Sequence, residues 1–336
     1  MISCRDGLER AFNNAWYHGA RWTLVFLPLI PLVMLATYLR RSLRPKNDFA
    51  ALGAPVVVIG GLTAGGTGKT PTLIALARYL SGRGFKVGIV SRGYGRTTGD
   101  SMLLVSEEHT HDEVGDEPML IKRYAPEVKV IVGKSRKKAA TILIREFGTN
   151  VILSDDGLQH YDLPRDFEVA VIDADRGLGN GWLLPVGPLR EPRERLSSVD
   201  FVLERNGTIE SRALIYASKR FISVKTRQSL TIDEARALFM GTSLVAATGL
   251  GQPTQFFTML RHMGFEFTEV AVADHALLPL SEIQESHHPG YIIVTAKDAV
   301  KMDKQACDNV WVIEVEAQLP DALLSSLEQL LDRVAR

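Results

Sequence analysis

The chain has 336 residues, 46% of them hydrophobic, and its 39 basic side chains balance 39 acidic ones. That length supports one large or two modest domains with an ample core, while a formal charge of zero excludes the overall basic footprint of a duplex-binding protein, so no nucleic-acid partner is expected. Cys4 and Cys307 are too few and too far apart in sequence for a disulfide framework, which favours a reducing compartment.

The first element is an uncharged apolar run over residues 22–39, bounded by Arg21 and by Arg40 and Arg41. Eighteen helical residues reach about 27 Å, just under a hydrocarbon core of roughly 30 Å, so the run has the length to span or to lie in a bilayer. Pro28 and Pro31 argue against a straight span, and a cleaved signal peptide fits poorly because no small-residue cleavage site follows. Arg40, Arg41, Arg44 and Lys46 favour a cytosolic body, although Arg5, Arg10 and Arg21 on the other side blur that signal. A helix buried in the protein or held by a partner is the competing reading.

Next comes Thr63-Ala64-Gly65-Gly66-Thr67-Gly68-Lys69-Thr70, set where a β-rich run turns into a helical one. The glycines let successive backbone N–H groups turn around phosphate oxygens, Lys69 reaches the β and γ phosphates, and the Thr70 hydroxyl can hold Mg²⁺. Pro71 suits the first turn of the helix that follows, where a missing N–H costs little. Thr63 stands where the usual G-x-x-x-x-G-K-[ST] pattern has its first glycine. The chain is therefore read as a nucleoside-triphosphate protein.

From residue 55 onward strand-like runs at 56–59, 86–90, 129–132, 151–153, 169–172 and 201–203 alternate with helical stretches such as 73–81 and 137–147. Short all-apolar strands separated by helices predict a doubly wound, mostly parallel α/β sheet of the P-loop type. A mixed stretch at 206–231 interrupts the alternation, which resumes at 244–247, 291–294 and 310–315. We therefore expect an N-terminal membrane-associating segment at 1–48, a P-loop domain at 49–206 and a smaller α/β lobe at 207–336, with a possible hinge near residue 207.

The run at 151–153 ends in Ser154-Asp155-Asp156, a Walker-B-like strand end whose carboxylates can bind Mg²⁺ directly or through water. Gln159 and His160 follow closely enough to reach the metal or nucleotide edge, or else to close the turn. Arg92 and Arg96, in a glycine-rich turn, suit a phosphate of donor or acceptor, with a solvated turn as the alternative. Arg190, Arg193 and Arg195 interleave with Glu191 and Glu194, as a salt-bridged surface segment would. His109 and His111, and the pair His287 and His288, lack further ligands at a metal-site spacing. Asp116, before Glu117-Pro118, reads by itself as a helix N-cap, and His275 as a surface loop residue. For Lys297-Asp298-Ala299-Val300-Lys301, an adenine-side place and a helix cap both remain open.

Seven ordered motifs together carry a resemblance: Thr-Ala-Gly-Gly-Thr-Gly-Lys-Thr-Pro (63–71), Val-Ser-Arg-Gly-Tyr-Gly-Arg (90–96), Val-Gly-Asp-Glu-Pro (114–118), Asp-Asp-Gly-Leu-Gln-His (155–160), Pro-Val-Gly-Pro-Leu-Arg-Glu (185–191), Ala-Asp-His (273–275) and Thr-Ala-Lys-Asp-Ala-Val-Lys (295–301). The chain resembles the tetraacyldisaccharide 4'-kinase family up to about residue 317, and Thr63 in place of the first glycine is usual there. The resemblance implies ATP and Mg²⁺ as cofactors and transfer of the γ-phosphoryl group to the 4'-hydroxyl of a tetraacyl glucosamine disaccharide 1-phosphate, a lipid A precursor, at the cytosolic face of the inner membrane. It implies Asp116 as catalytic base with His275 beside it. Lys69, Thr70 and the loop amides would meet the phosphates, Thr70, Asp155, Asp156 and Glu191 the metal, and Arg92, Arg96, Gln159, His160 and Arg190 the substrates. An apolar N-terminal segment would keep the site beside acyl chains that leave a bilayer only at about 0.8 kcal/mol per CH₂. No obligate protein partner is evident. A membrane-associated P-loop ATPase acting as a switch or partitioning factor, and a nucleotide-binding scaffold, remain the competing classes; alanine at 296, before Lys297-Asp298, lacks the amide of a guanine-reading Asn-Lys-x-Asp segment and favours ATP.

Overall fold

A computed structural model describes residues 4–42, 52–302 and 308–334. Its strands are β1 (Val56–Gly60), β2 (Val87–Ser91), β3 (Leu103–Leu104), β4 (Lys129–Val132), β5 (Val151–Ser154), β6 (Phe167–Asp173), β7 (Phe201–Arg205), β8 (Ala213–Ser223), β9 (Ser229–Leu230), β10 (Leu244–Thr248), β11 (Thr268–Ala271), β12 (Tyr291–Val294) and β13 (Val310–Gln318). Its helices are α1 (Cys4–Tyr17), α2 (Ile30–Ser42), α3 (Lys69–Gly82), α4 (His111–Val114), α5 (Asp116–Tyr124), α6 (Arg136–Phe147), α7 (Ile232–Phe239), α8 (Pro253–His262), α9 (Leu280–His287), α10 (Ala296–Ala299) and α11 (Asp321–Val334).

The strands join in one sheet in the order β11-β10-β12-β13-β8-β7-β6-β1-β5-β2-β4-β3, with β9 alongside β8. Pairing is parallel except where β3 meets β4, β9 meets β8 and β13 meets β8. Every residue of β1 is buried. Val57 and Ile59 enter a core shared with Leu73, Leu76 and Leu80 of α3 and with Leu323 and Leu327 of α11, whereas Val56 and Val58 face α6 and the N-terminal segment. This alternation is the two-residue period of a strand covered on both faces, as parallel sheets require. A separate core, centred on Phe221, Phe239, Phe265 and Trp311 in edge-on and tilted contacts, supports the second half.

The chain turns at Asn206, where a positive φ of 58° follows β7. The mixed stretch beyond this turn is largely strand: β8 pairs with β7 through Glu204 and Ala213, then runs antiparallel to β13 from Ile215 to Ser223. Its middle residues are only partly buried, so the apolar run that marks the other strands is missing. The two halves thus share a sheet, and α11 returns to pack on the core of the first.

The apolar N-terminal run is not one straight helix. Tight 3-10 turns over Trp22–Leu29, which enclose Pro28, lead into α2. Thr23 donates to the Val186 carbonyl (2.9 Å), Trp16 to that of Pro185 (3.1 Å), and Ile30 is buried against the body. Within residues 22–42 an 18-residue stretch has a mean hydropathy of 2.0, and only 11% of that stretch is buried; Trp22, Val25, Leu32, Leu35, Tyr38 and Leu39 stand exposed.

Candidate active site

The carboxyl end of β1 delivers residues 61–68 into a loop that ends at the first turn of α3. Thr63 forms an isolated bridge with Leu189, and the Ala64 N–H donates to the Pro188 carbonyl (2.8 Å). The left-handed angles fall on Gly65 (φ +102°) and Gly68 (φ +90°), leaving a position at Thr63 that needs no glycine. Gly68 is also required by space, since a Cβ there would lie 2.0 Å from the Tyr216 hydroxyl. With Gly68 as cap, Lys69 and Thr70 open α3, so its free N–H groups and dipole make a place suited to a phosphate.

On the neighbouring strand, β5 ends at two carboxylates with opposite electrostatics. Asp155, 2% exposed, accepts a hydrogen bond from the Ser91 hydroxyl at the end of β2 (2.9 Å). Burial, reinforced by Glu117 and Asp156, raises its pKa to about 7. Burial also acts on Asp156, but Lys69 and Arg190 more than offset it and hold that carboxyl at about 2. Arg190 donates to Asp156 Oδ2 (2.7 Å), Lys69 Nζ lies 3.9 Å from Oδ1, and Oδ1 is buried with no hydrogen-bond partner. Arg136, buried on α6, donates to the carbonyls of Asp155 (2.6 Å) and Asp156 (3.3 Å), fixing the turn.

The segment 190–195 is not simply a surface run. Arg193 and Glu194 are exposed, but Glu191 and Arg195 are each 2% exposed. Glu191 accepts from Tyr161 through one oxygen and from Gln159 Nε2 (3.2 Å) through the other, with Arg195 Nε 3.7 Å away. Gln159 also donates to the Gly61 carbonyl (3.2 Å) and accepts from Arg190 (3.4 Å). Glu191, Gln159, Arg190 and Asp156 therefore form one chain leading to Lys69. The occupied oxygens of Glu191 suit it to hold that chain in place better than to ligate a metal directly. His160 is half-buried; burial, together with Arg136, lowers its pKa to about 4, leaving it neutral at pH 7.

Asp116 is not the N-cap of α5. That place belongs to Gly115, at φ +94° and with Gly93 and Tyr94 backbone too close to admit a Cβ, and Asp116 is the first helical residue. Its Oδ2 lies 3.0 Å from His275 Nδ1, on the loop after β11, so residues 159 positions apart meet here. Lys301 Nζ stands 3.8 Å from Oδ2, and His111 Nδ1 is 3.6 Å from Oδ1. Burial alone would raise the Asp116 pKa, but the His275 hydrogen bond and the charge of Lys301 outweigh it and lower it. Tyr94, exposed, sets its ring 5.9 Å from that of His275. Arg92 is exposed, and Arg96 is half-buried with one guanidinium nitrogen lacking a hydrogen-bond partner among the described residues. His109 binds Ser106, and His288 is an exposed helix cap. Among the described residues no set of three His, Cys, Asp or Glu side chains forms a metal cluster.

Between the halves lies a cavity of about 1190 Å³, lined by Lys69, Thr70, Glu117, Tyr216, Gln255 and Lys297 among others. Its depth and mixed lining suit a nucleotide.

A family model described as tetraacyldisaccharide-1-P 4'-kinase (LpxK) matches residues 22–332. The chain belongs to this family. A tetraacyldisaccharide 4'-kinase of Ruthia magnifica subsp. Calyptogena magnifica is 39% identical over 306 residues, spanning 90% of this chain and 95% of the relative. One of Haemophilus influenzae (strain 86-028NP) is 38% identical over 313 residues, spanning 91% and 92%. A crystal structure of LpxK from Aquifex aeolicus, described as an apo form in complex with ATP, matches with a TM-score of 0.73 at 26% identity, covering 93% of this chain and 99% of that one. As a tetraacyldisaccharide-1-P 4'-kinase family member, the protein is a phosphotransferase of lipid A biosynthesis, and the switch-type ATPase is not favoured.

Several residues of this kinase site escaped the sequence reading. Ser91, Arg136 and Tyr161 support carboxylates across long stretches of chain, and Asp274, Lys297 and Lys301 surround His275. Lys297 and Lys301 lie in a motif that was noticed but not placed; Tyr216 lies in the one long strand that hydrophobic patterning did not show.

Proposed function

We propose that the protein transfers the γ-phosphoryl group of ATP to the 4'-hydroxyl of a tetraacyl glucosamine disaccharide 1-phosphate, with Asp116 as the base. The observation that carries this reading is the Asp116–His275 contact: Oδ2 is engaged by the imidazole, while among the described residues Oδ1 has no hydrogen bond and remains to accept a proton. As the 4'-oxygen bonds to the γ-phosphorus, the bond from that phosphorus to the β–γ bridging oxygen breaks, ADP departs and the hydroxyl proton moves to Asp116 Oδ1. The loop amides and Lys69 hold the phosphates of the leaving side, and Arg190 keeps Asp156 in register beside Lys69. Mg²⁺ fits the donors present, because Thr70 and the two β5 carboxylates offer hard oxygens and the buried Asp156 Oδ1 has no hydrogen-bond partner among the described residues. When bound, the ion would neutralise charge on the transferring phosphates.

The N-terminal segment is read as lying along the cytosolic face of the inner membrane. It is tied to the body at Trp16, Thr23 and Ile30, while Val25, Leu32, Leu35 and Leu39 expose a continuous apolar surface, as an interfacial anchor would. This brings the cavity beside an acceptor whose acyl chains stay in the bilayer.

The test is incubation of the detergent-solubilised protein with γ-labelled ATP, Mg²⁺ and the tetraacyldisaccharide 1-phosphate, beside Asp116→Ala. Label in the lipid, absent with the variant, is expected. ATP hydrolysis with no labelled lipid would overturn the assignment.

A further inference from the structure

The segment 295–301 has two lysines whose place the reaction above does not use. Thr295 caps α10 through the Asp298 N–H, and Asp298, 1% exposed, binds the hydroxyls of Thr248 (2.9 Å) and Thr295 (2.6 Å) and the Gly249 N–H (3.0 Å). These bonds fasten α10 to the end of β10 and fix where its side chains point. Lys297 Nζ then lies 2.6 Å from Asp274 Oδ1 and 3.3 Å from His275 Nε2.

We infer that Lys297 is a positioning residue that sets the tautomer of His275, and through it the orientation and basicity of Asp116. This rests on the kinase reading of Asp116. A lysine ammonium has three donors and no acceptor, so the ring nitrogen facing it has to accept. Nε2 is then unprotonated, the ring proton sits on Nδ1, and Nδ1–H donates to Asp116 Oδ2 across 3.0 Å. An Nε2–H would point a donor at a donor. Asp116 therefore keeps the Nδ1–H donor behind it, and Oδ1 stays open to the acceptor hydroxyl. Asp274 holds Lys297 in this place, with its Oδ1 3.9 Å from Nε2. The remaining groups around the pair are Lys301, 3.8 Å from Asp116 Oδ2 and 3% exposed, His111 beside Oδ1, and the Tyr94 ring.

The experiment is ¹⁵N NMR of histidine-labelled protein, with the His275 signals assigned by their loss in His275→Gln, run beside steady-state kinetics of Lys297→Met and Lys297→Arg. In the unsubstituted protein His275 should show a protonated Nδ1 and a bare Nε2. Lys297→Met should mix the tautomers, so that a protonated Nε2 and a bare Nδ1 appear beside the original ring signals. It should lower kcat about tenfold, while Lys297→Arg, also a pure donor, should restore the ring signals and most of kcat. A protonated Nε2 in the unsubstituted protein, or ring signals unmoved by Lys297→Met, would overturn the inference even if kcat fell. Failure of the unsubstituted protein to label the lipid would instead sink the kinase reading of Asp116, an outcome the NMR arm reports separately.

Discussion

The two ends of the site are assembled in different ways. At the phosphate end, Gly65, Gly68, Lys69 and Thr70 are sequence neighbours whose geometry follows from one strand-to-helix turn, and Asp155 and Asp156 arrive on the adjacent strand. At the proposed acceptor end, Asp116 opens a helix of the first half and His275 sits in a loop of the second, brought together by the shared sheet and by α10. A nucleotide-binding end built locally can be preorganised before either substrate arrives. An acceptor end divided between two halves is correct only when both halves are in register, and the shared sheet is what sets that register.

The strongest way to break this comparison is to remove one end and ask whether the other survives. Asp116→Ala should lower kcat for lipid phosphorylation about 10³-fold, within the range expected for a lost general base, with nucleotide affinity within about twofold of the starting value. Calorimetric titration with a non-hydrolysable ATP analogue checks the second half of that statement. Nucleotide binding that vanished with Asp116 would mean that the two ends are one unit. The converse change, Lys69→Ala, should reduce kcat/KM for ATP about 10²-fold or more by removing a charge-assisted phosphate contact, while acceptor binding persists.

The same contrast decides what could be read in the sequence. The loop, the Walker-B-like end of β5 and the core strands were legible because each is short range: a glycine pattern, a two-residue carboxylate pair, a continuous apolar run. Thr63 was legible as a departure but not as a bridge to Leu189, since that pairing spans more than a hundred residues. β8 was missed because it carries the crossing between the halves, where its middle residues Ile215 to Arg220 are partly exposed and mixed in character. Asp116 by itself read as a cap; the neighbouring Gly115, forced by the close Gly93 and Tyr94 backbone, takes that role and frees the carboxylate. His275 carries no local sign of function, and only the resemblance pointed to it.

A subtler test concerns the paired carboxylates, whose charges make opposite demands on folding. Asp155 keeps its proton up to about pH 7, because it is buried beside Glu117 and Asp156, whereas the unfolded chain releases it near pH 4. The native state therefore binds more protons across that window, and Asp155 costs stability as pH rises through it. Asp155→Asn should raise Tm by about 2–4 °C at pH 8, with the gain fading toward pH 4 and kinase activity lost. Asp156 has the opposite sign: held at about 2 by Lys69 and Arg190 against its burial, it contributes stability above its ordinary range that is lost as pH falls toward 2. Thermal melts of the two Asn variants across pH should diverge, and parallel curves would remove the claim that one strand end holds two electrostatically distinct carboxylates.

The smallest expected effect sharpens the comparison most, because it touches the seam. Tyr216, on the crossing strand β8, donates its hydroxyl to the carbonyl of Gly68 (3.0 Å), and Gln252 of the second half donates to that of Gly66 (3.1 Å). The local phosphate loop is thus held from outside at two carbonyls. Burial pushes the Tyr216 pKa up to about 12, so the phenol remains a donor throughout the working range. Thr72 donates to the same Gly68 carbonyl (2.9 Å), which keeps that oxygen satisfied when the phenol is removed. Tyr216→Phe should then cost only the net value of one neutral hydrogen bond, about 1 kcal/mol, or roughly a fivefold weaker nucleotide affinity. The fold should be intact, since the ring still fills the space that Gly68 leaves open. An affinity unchanged within error would show that the loop is preorganised by its own backbone alone; a loss of two orders of magnitude would show that β8, the strand on which the two halves turn, sets the conformation of the loop.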